Sequence, residues 1–343
     1  MTAAATQSDE QRYDIVVVGG GPAGLTTALY GARLGHETAV FDRGGGRAAM
    51  MQDTHNVIGV PESVSGNEFL ETARDQLRSY GGAYRREFVT AIDRHGEAFE
   101  VETTDGSVLA DRVVLATGFS DARPEPPLPR TGRGLHYCLH CDAYMFVDEP
   151  VYVMGHGDSA AYVAMIMLNF TSDVDLLLRG AEPTWSDETD ALLSEHPVDI
   201  VHEEVTGVRN GEGGWLEALK FENGAARDYR GGFAMYGAEY NNDLAVSLDA
   251  ELNDDGTVVV DDHGRTSVDG LYAVGDLTPG HNQVPVAMGQ GAKAGLTLHK
   301  SLRAFPKSLD ELETDGRVTQ ADVPAIADAL RRQAGAHSSA EGD

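Results

Sequence analysis

The sequence predicts an α/β fold, and two observations carry that prediction. A strand pattern runs into a glycine-rich turn and a helix near the N-terminus, and the same pattern returns in mid-chain. In the first copy, residues 13–18 form a continuous apolar, β-branched run of the kind a parallel strand buried on both faces requires. It enters Gly19-Gly-Gly-Pro-Ala-Gly24, and residues 25–34 follow in a helical pattern. In the second copy, residues 150–154 lead into Gly155-His-Gly-Asp-Ser-Ala160 and a helical run over 161–170. In each, the first glycine permits a tight turn, the second lets backbone approach a pyrophosphate, and the phosphate meets a helix N-terminus. Two such Rossmann-like units imply two bound nucleotides.

Each element has its own justification. A second strand over 37–41 delivers Asp42 about twenty residues after the glycine turn, where an acid bonds ribose hydroxyls. Residues 44–59 are glycine-rich and then polar, which suits a ligand-contacting loop. An amphipathic helix over 66–80 and a meander of strands over 83–112 come next, and a strand over 112–116 ends in Thr117-Gly118. The proline-rich stretch 121–130 reads as a linker. After the second glycine turn, the strand over 174–178 ends in Arg179-Gly180 instead of an acid. An arginine there favours a ribose 2′-phosphate, unless it is an ordinary solvated surface residue. A β-rich stretch over 198–230 precedes Gly231-Gly-Phe-Ala-Met-Tyr-Gly237, and strand pattern resumes at 257–261 and 270–276. The last run ends in Gly275-Asp276, an acid placed for a ribityl or ribose hydroxyl. The helix over 284–302 then offers first-turn amides to an anionic group. A tail over 306–343 carries a short helix over 321–333 and suggests no function.

Charge bounds the partners. With 55 acidic against 26 basic residues the net charge is −29, and four of the basic residues are lysine, which excludes a nucleic-acid binder. Such an excess repels itself at low salt and is screened at molar salt, where the Debye length is about 3 Å. The composition is similar to that of proteins from salt-accumulating halophiles. Residues 1–12 carry no apolar segment of a secretory signal, and no apolar run reaches membrane-spanning length. A soluble, cytoplasmic protein is expected.

The chemistry concentrates at His136-Tyr-Cys-Leu-His-Cys-Asp-Ala-Tyr144, which holds both cysteines of the chain, Cys138 and Cys141. This spacing serves a redox dithiol, half of a zinc site completed by histidines such as His136 and His140, or two inert buried thiols. Inside a cell a C-x-x-C is more often catalytic than structural. An imidazolium at His140 or His136 would lower a thiol pKa, and a solvated loop histidine is the plainer alternative for each.

The order of these motifs over residues 13–302 resembles the low-molecular-weight thioredoxin reductases among the two-domain flavoproteins. The resemblance implies a three-layer ββα FAD-binding domain interrupted by a similar pyridine-nucleotide domain, and a homodimer. The divisions expected are 12–132 and 247–305 for FAD, 133–246 for the nucleotide and cysteines, and 306–343 as the tail. It implies that FAD is held by Gly19, Gly21, Pro22, Ala23, Gly24 and Asp42, with Asn56, Ala116, Thr117, Gly118, Gly275, Asp276, Gln283 and Val284 lying near it. The second dinucleotide, NADPH or NADH, is held by Gly155, Gly157, Asp158, Ser159, Ala160 and Arg179. Hydride passes to the flavin, which opens the Cys138–Cys141 disulfide. Cys141 is then the flavin-side thiol, Cys138 the one that meets the partner disulfide, and Asp142 the acid/base, a helix or turn cap being its plainer reading. The chain departs from the family in two places. The basic cluster of NADPH-dependent members is reduced to Leu178-Arg179-Gly180, and Leu139-His140 stands between the cysteines. The partner expected is a thioredoxin-like protein. A dithiol oxidase or small-disulfide reductase, and a slow redox-sensing regulator, are the alternatives.

Overall fold

The computed structural model describes residues 11–125, 128, 131–303, 305–323 and 325–340. The chain packs as two compact units. One comprises Met1–Ala49, Ser65–Phe119 and Tyr240–Asp343 as far as these are described. The other comprises Met50–Val64 and Ser120–Glu239.

In the first unit a parallel sheet runs in the order Ala83–Arg85, Thr38–Phe41, Arg12–Val18, Gly106–Leu115, Leu271–Ala273. The central strand alternates between two cores. Val16 and Val18 face an antiparallel layer with Phe99 and Val101, while Ile15 and Val17 face helices Pro22–Arg33 and Val284–Leu302. Burial on both faces explains why the strand reads as an unbroken apolar run. Where the sequence suggested a meander ending at 112 and a separate strand at 112–116, Gly106–Leu115 is one strand with two jobs. Its first half pairs antiparallel with Ala98–Thr103, and its second half pairs parallel with Leu271–Ala273. Ala83–Arg85 likewise joins the parallel sheet rather than the meander.

The two helices approach closely because glycines face the contact. A Cβ at Gly291 would lie 2.3 Å from the Ala23 carbonyl oxygen, and one at Gly295 2.6 Å from Tyr30 Cβ. Thr27 Oγ1 donates to the Ala23 and Gly291 carbonyls at 3.0 and 3.2 Å.

The second unit repeats the plan. Its parallel sheet is ordered Asp199–Val201, Val174–Leu177, Val151–Met154, Gly231–Ala234, Leu135–His136, beside an antiparallel layer of Val205–Asn210, Leu216–Phe221 and Ala226–Asp228. Leu135–His136 therefore holds the sheet position that Leu271–Ala273 holds in the first unit. The cysteines follow its C-terminal end just as Gly275-Asp276 follows the other, and open α/β sheets bind ligands at the carboxyl ends of their strands.

Two expectations fail. Residues 257–261 contribute only the isolated bridge Leu252–Val258. The tail helix spans Asp328–Ala340, not 321–333, and a further helix, Leu309–Asp315, precedes it. The residue before Pro324 is biased away from helix, which disfavours a start at 321. No described helix is long and apolar enough to cross a membrane.

Candidate functional site

The first glycine turn is built from steric necessity. Gly19 has φ 109°, and a Cβ on it would lie 2.3 Å from the Ala116 carbonyl oxygen; one on Gly24 would lie 2.0 Å from that of Gly19. A Cβ on Gly21 would meet nothing within 4 Å. Gly21 is the N-cap of Pro22–Arg33 and offers no side-chain cap, so the Ala23 and Gly24 amides at the positive end of the helix are left for a ligand. Asp42 stands against this turn, since a Cβ on Gly20 would lie 2.8 Å from its carboxylate carbon. Tyr84 donates to Asp42 Oδ2 at 2.6 Å, and burial, then this bond, pushes the phenol up to about 12.

Ala116 N donates to Val18 O at 2.8 Å, which places Ala116-Thr117-Gly118 beside the same turn. Asn241, 124 residues away from Thr117, clamps this segment: Thr117 Oγ1 donates to its carbonyl at 2.7 Å and its Nδ2 donates to Thr117 O at 2.9 Å. Gly275 has φ 71°, with its virtual Cβ 2.7 Å from Ala23 Cβ, and its amide donates to Gln290 Oε1 at 2.7 Å. Asp276 lies 3.7 Å from Arg47, whose guanidinium also stacks on Phe119. Gln283 is the N-cap of Val284–Leu302 without capping it through its side chain. The sequence-predicted residues of this unit thus converge at one end of its sheet. Asn241, Gln290 and Arg47 complete the set; they carried no motif signal because their partners are distant in sequence. The open space at Gly21, the uncapped amides and the acid at Asp42 fit a dinucleotide.

In the second unit Gly155, at φ 145°, would place a Cβ 2.7 Å from Met235 O and 2.8 Å from the buried Ala160. Gly157 is the uncapped N-cap of Asp158–Met167, with room for a Cβ at 3.7 Å from Thr184 Oγ1, and Ser159 is exposed on the first turn. This cradle also fits a dinucleotide phosphate. Asp158 turns to the protein. Its carboxylate accepts from the Ser186 amide at 2.9 Å, from Ser186 Oγ at 3.1 Å and from Thr189 Oγ1, and these bonds, the Thr189 one first, hold it below the usual carboxylate range. Arg179 is no solvated surface residue. Its side chain is 4% exposed, its backbone is left-handed at φ 53°, and its Nε and Nη2 both donate to Glu204 Oε1, at 3.0 and 2.8 Å.

Cys138 and Cys141 form a disulfide, with Cα atoms 5.3 Å apart, at the start of the short helix Leu139–Asp142. Among the described residues no group of three or more His, Cys, Asp and Glu is arranged for a metal ion. Asn56, expected near the flavin, belongs to this unit and directs Nδ2 to Cys141 Sγ at 3.9 Å. Asp142 caps nothing through its side chain; its Oδ2 lies 2.7 Å from Nδ1 of His136. His136 is buried at 4% exposure, so the solvated-loop reading fails for it, whereas His140 is exposed. The arrangement joins an exchangeable disulfide, an amide donor to the Cys141 sulfur and, at the next residue, a carboxylate paired with His136. These parts suit thiol–disulfide exchange with local proton transfer.

Comparison with known proteins agrees. A family model described as pyridine nucleotide-disulphide oxidoreductase matches residues 13–291. A thioredoxin reductase of Aquifex aeolicus (strain VF5) is 29% identical over 324 residues, covering 90% of this chain and 98% of the relative. One of Helicobacter pylori (strain J99 / ATCC 700824) is 30% identical over 306 residues, covering 83% and 97%. The crystal structure of thioredoxin reductase from Streptococcus pyogenes MGAS5005 matches with a TM-score of 0.78 at 28% identity, over 87% of this chain and 100% of that one. The family implies a flavin and a nicotinamide cofactor, which the two cradles fit. With the match spanning most of its length, and with a disulfide that falls between its two glycine turns in sequence, the chain belongs to the pyridine nucleotide-disulphide oxidoreductases.

Proposed function

We propose that this protein is an FAD-dependent disulfide reductase that draws electrons from a reduced nicotinamide and delivers them through Cys138 and Cys141 to a thioredoxin-like protein. The observation that carries the reading is the Cys138–Cys141 disulfide at the carboxyl end of a sheet strand, with Asp142 beside it. FAD is held by the Gly19–Gly24 turn, Asp42, residues 116–118 and 275–276, and the start of the helix at Val284. The nicotinamide dinucleotide is held by Gly155, Gly157, Ser159 and Ala160. When bound, the flavin supplies the electron pair that opens the disulfide.

The chain's own residues do the rest. The Cys138 thiolate attacks the partner disulfide, forming one mixed S–S bond as the partner's bond breaks, and the departing thiolate takes a proton carried by Asp142. The Cys141 thiolate then attacks Cys138 sulfur, closing the internal disulfide and releasing the second partner thiol. The two electrons lost by the cysteines are the two gained by the partner. Asn56 directs its amide at Cys141, where it stabilises the thiolate between these steps.

The donor in this reading is NADH. A 2′-phosphate needs a free arginine, and Arg179 is buried on Glu204 while Gly180 follows it. Glu204 instead sets a carboxylate where a ribose 2′-hydroxyl can donate. Anaerobic titration with NADH and NADPH separately should bleach the flavin with NADH at about tenfold or better efficiency, and Glu204→Gln should narrow the gap. A preference for NADPH would overturn the donor assignment. Bleaching by dithionite but by neither nucleotide would overturn the reductase.

The net charge of −29 supports a halophilic, cytoplasmic origin, and the family a homodimer. The thermal midpoint should rise between dilute and molar KCl; equal midpoints would remove the halophilic reading.

A further inference from the structure

We propose that His136 is a positioning residue that fixes the Asp142 carboxylate for its proton transfer, a role that rests on the reductase reading above. The imidazole is held from every side. Its backbone lies in the sheet, with His136 paired to Phe233 and Leu135 to Gly232. Its ring meets Phe146 edge-on at 5.3 Å and 83° and lies 6.0 Å from Phe233. The Gly134 amide donates to Nε2 at 3.4 Å. A nitrogen that accepts a hydrogen bond carries no proton, so the ring proton is on Nδ1, 2.7 Å from Asp142 Oδ2.

This tautomer decides the division of labour. Nδ1–H donates to Oδ2, and His136 is the one hydrogen-bond partner of that carboxylate among the described residues. Oδ1 is left to take or give the thiol proton, while Oδ2 stays anchored. His136 does not itself relay the thiol proton, because Nε2 faces the Gly134 amide and the ring is 4% exposed. Asp142 would otherwise swing freely at the end of a four-residue helix, its side chain 20% exposed. A misplaced acid or base forfeits much of its rate advantage.

The test is single-turnover electron transfer from the dithiothreitol-reduced, desalted holoprotein to oxidised thioredoxin. His136→Leu should slow transfer about 10- to 100-fold with the thioredoxin concentration dependence unchanged. His136→Asn, whose amide restores a donor at the δ position, should stay within about threefold of wild type, whereas His136→Gln, which moves the donor to the ε position, should not. In an Asp142→Asn background, His136→Leu should add nothing, since it acts only through Asp142. Flavin retention and thermal midpoints report folding, and the Asn and Gln pair decides the matter should His136→Leu fold poorly. A wild-type rate in both His136→Leu and His136→Gln, equal loss in the Asn and Gln variants, or full additivity with Asp142→Asn would each overturn the role. A wild-type protein that reduces thioredoxin no faster than its double-serine variant at 138 and 141 would overturn the reductase reading and this role with it.

Discussion

Cys138→Ser and Cys141→Ser should each lower disulfide turnover by at least about 10³-fold, because an alcohol neither forms the mixed disulfide nor closes the internal one. Flavin content should be unchanged, since both cysteines lie in the second compact unit and the residues proposed to hold FAD lie in the first. The two variants should fail differently. With Cys141→Ser the attacking thiol remains, so a mixed disulfide through Cys138 accumulates and can be isolated under non-reducing conditions. With Cys138→Ser no such adduct forms. Adducts through Cys141 alone would reverse the assignment of the two thiols, and turnover in either variant would refute the dithiol mechanism.

The second large effect separates two glycines three residues apart. Gly24→Ala should destabilise the first unit by about 3 kcal/mol or more and abolish FAD retention, because the new methyl would lie 2.0 Å from the Gly19 carbonyl oxygen in a turn that cannot yield. Gly21→Ala meets nothing within 4 Å, so the apoprotein should lose less than about 1 kcal/mol, the ordinary cost of changing an N-cap glycine. FAD should nonetheless bind about tenfold or more weakly, since the methyl fills the space through which the backbone meets the pyrophosphate. Urea melts of the apoproteins and FAD titrations read both effects. A Gly21→Ala protein with wild-type FAD affinity would show that the cradle lies elsewhere.

The contrast also shows what was legible in the sequence. Strand, glycine turn and helix are written locally, so both cradles and the long helix Val284–Leu302 could be read from residues 13–24, 150–160 and 284–302. What escaped depends on contacts that only the folded chain brings together. Arg179 reads as a phosphate ligand in the sequence, and the pairing with Glu204, 25 residues on, is visible only once the chain is folded. Asn241 carries no motif yet secures Thr117 across 124 residues. His136 and Asp142 are close in sequence, but their pairing needs the chain to turn at Cys138 and the sheet edge to hold the ring. The helix Leu309–Asp315 is a different case: Ser308 and Glu311 form a capping box whose spacing is local and legible in the sequence. The shared strand Gly106–Leu115 lacked any break in its pattern to mark where one partner replaces the next.

The central claim is that nicotinamide-derived electrons reach the Cys138–Cys141 pair. It is tested most directly by reacting the anaerobic holoprotein with NADH, trapping thiols with iodoacetamide and locating the label by peptide mass spectrometry. The account predicts label on both Cys138 and Cys141, removed from both when oxidised thioredoxin is added before the trap. A bleached flavin with the pair still unlabelled would contradict it.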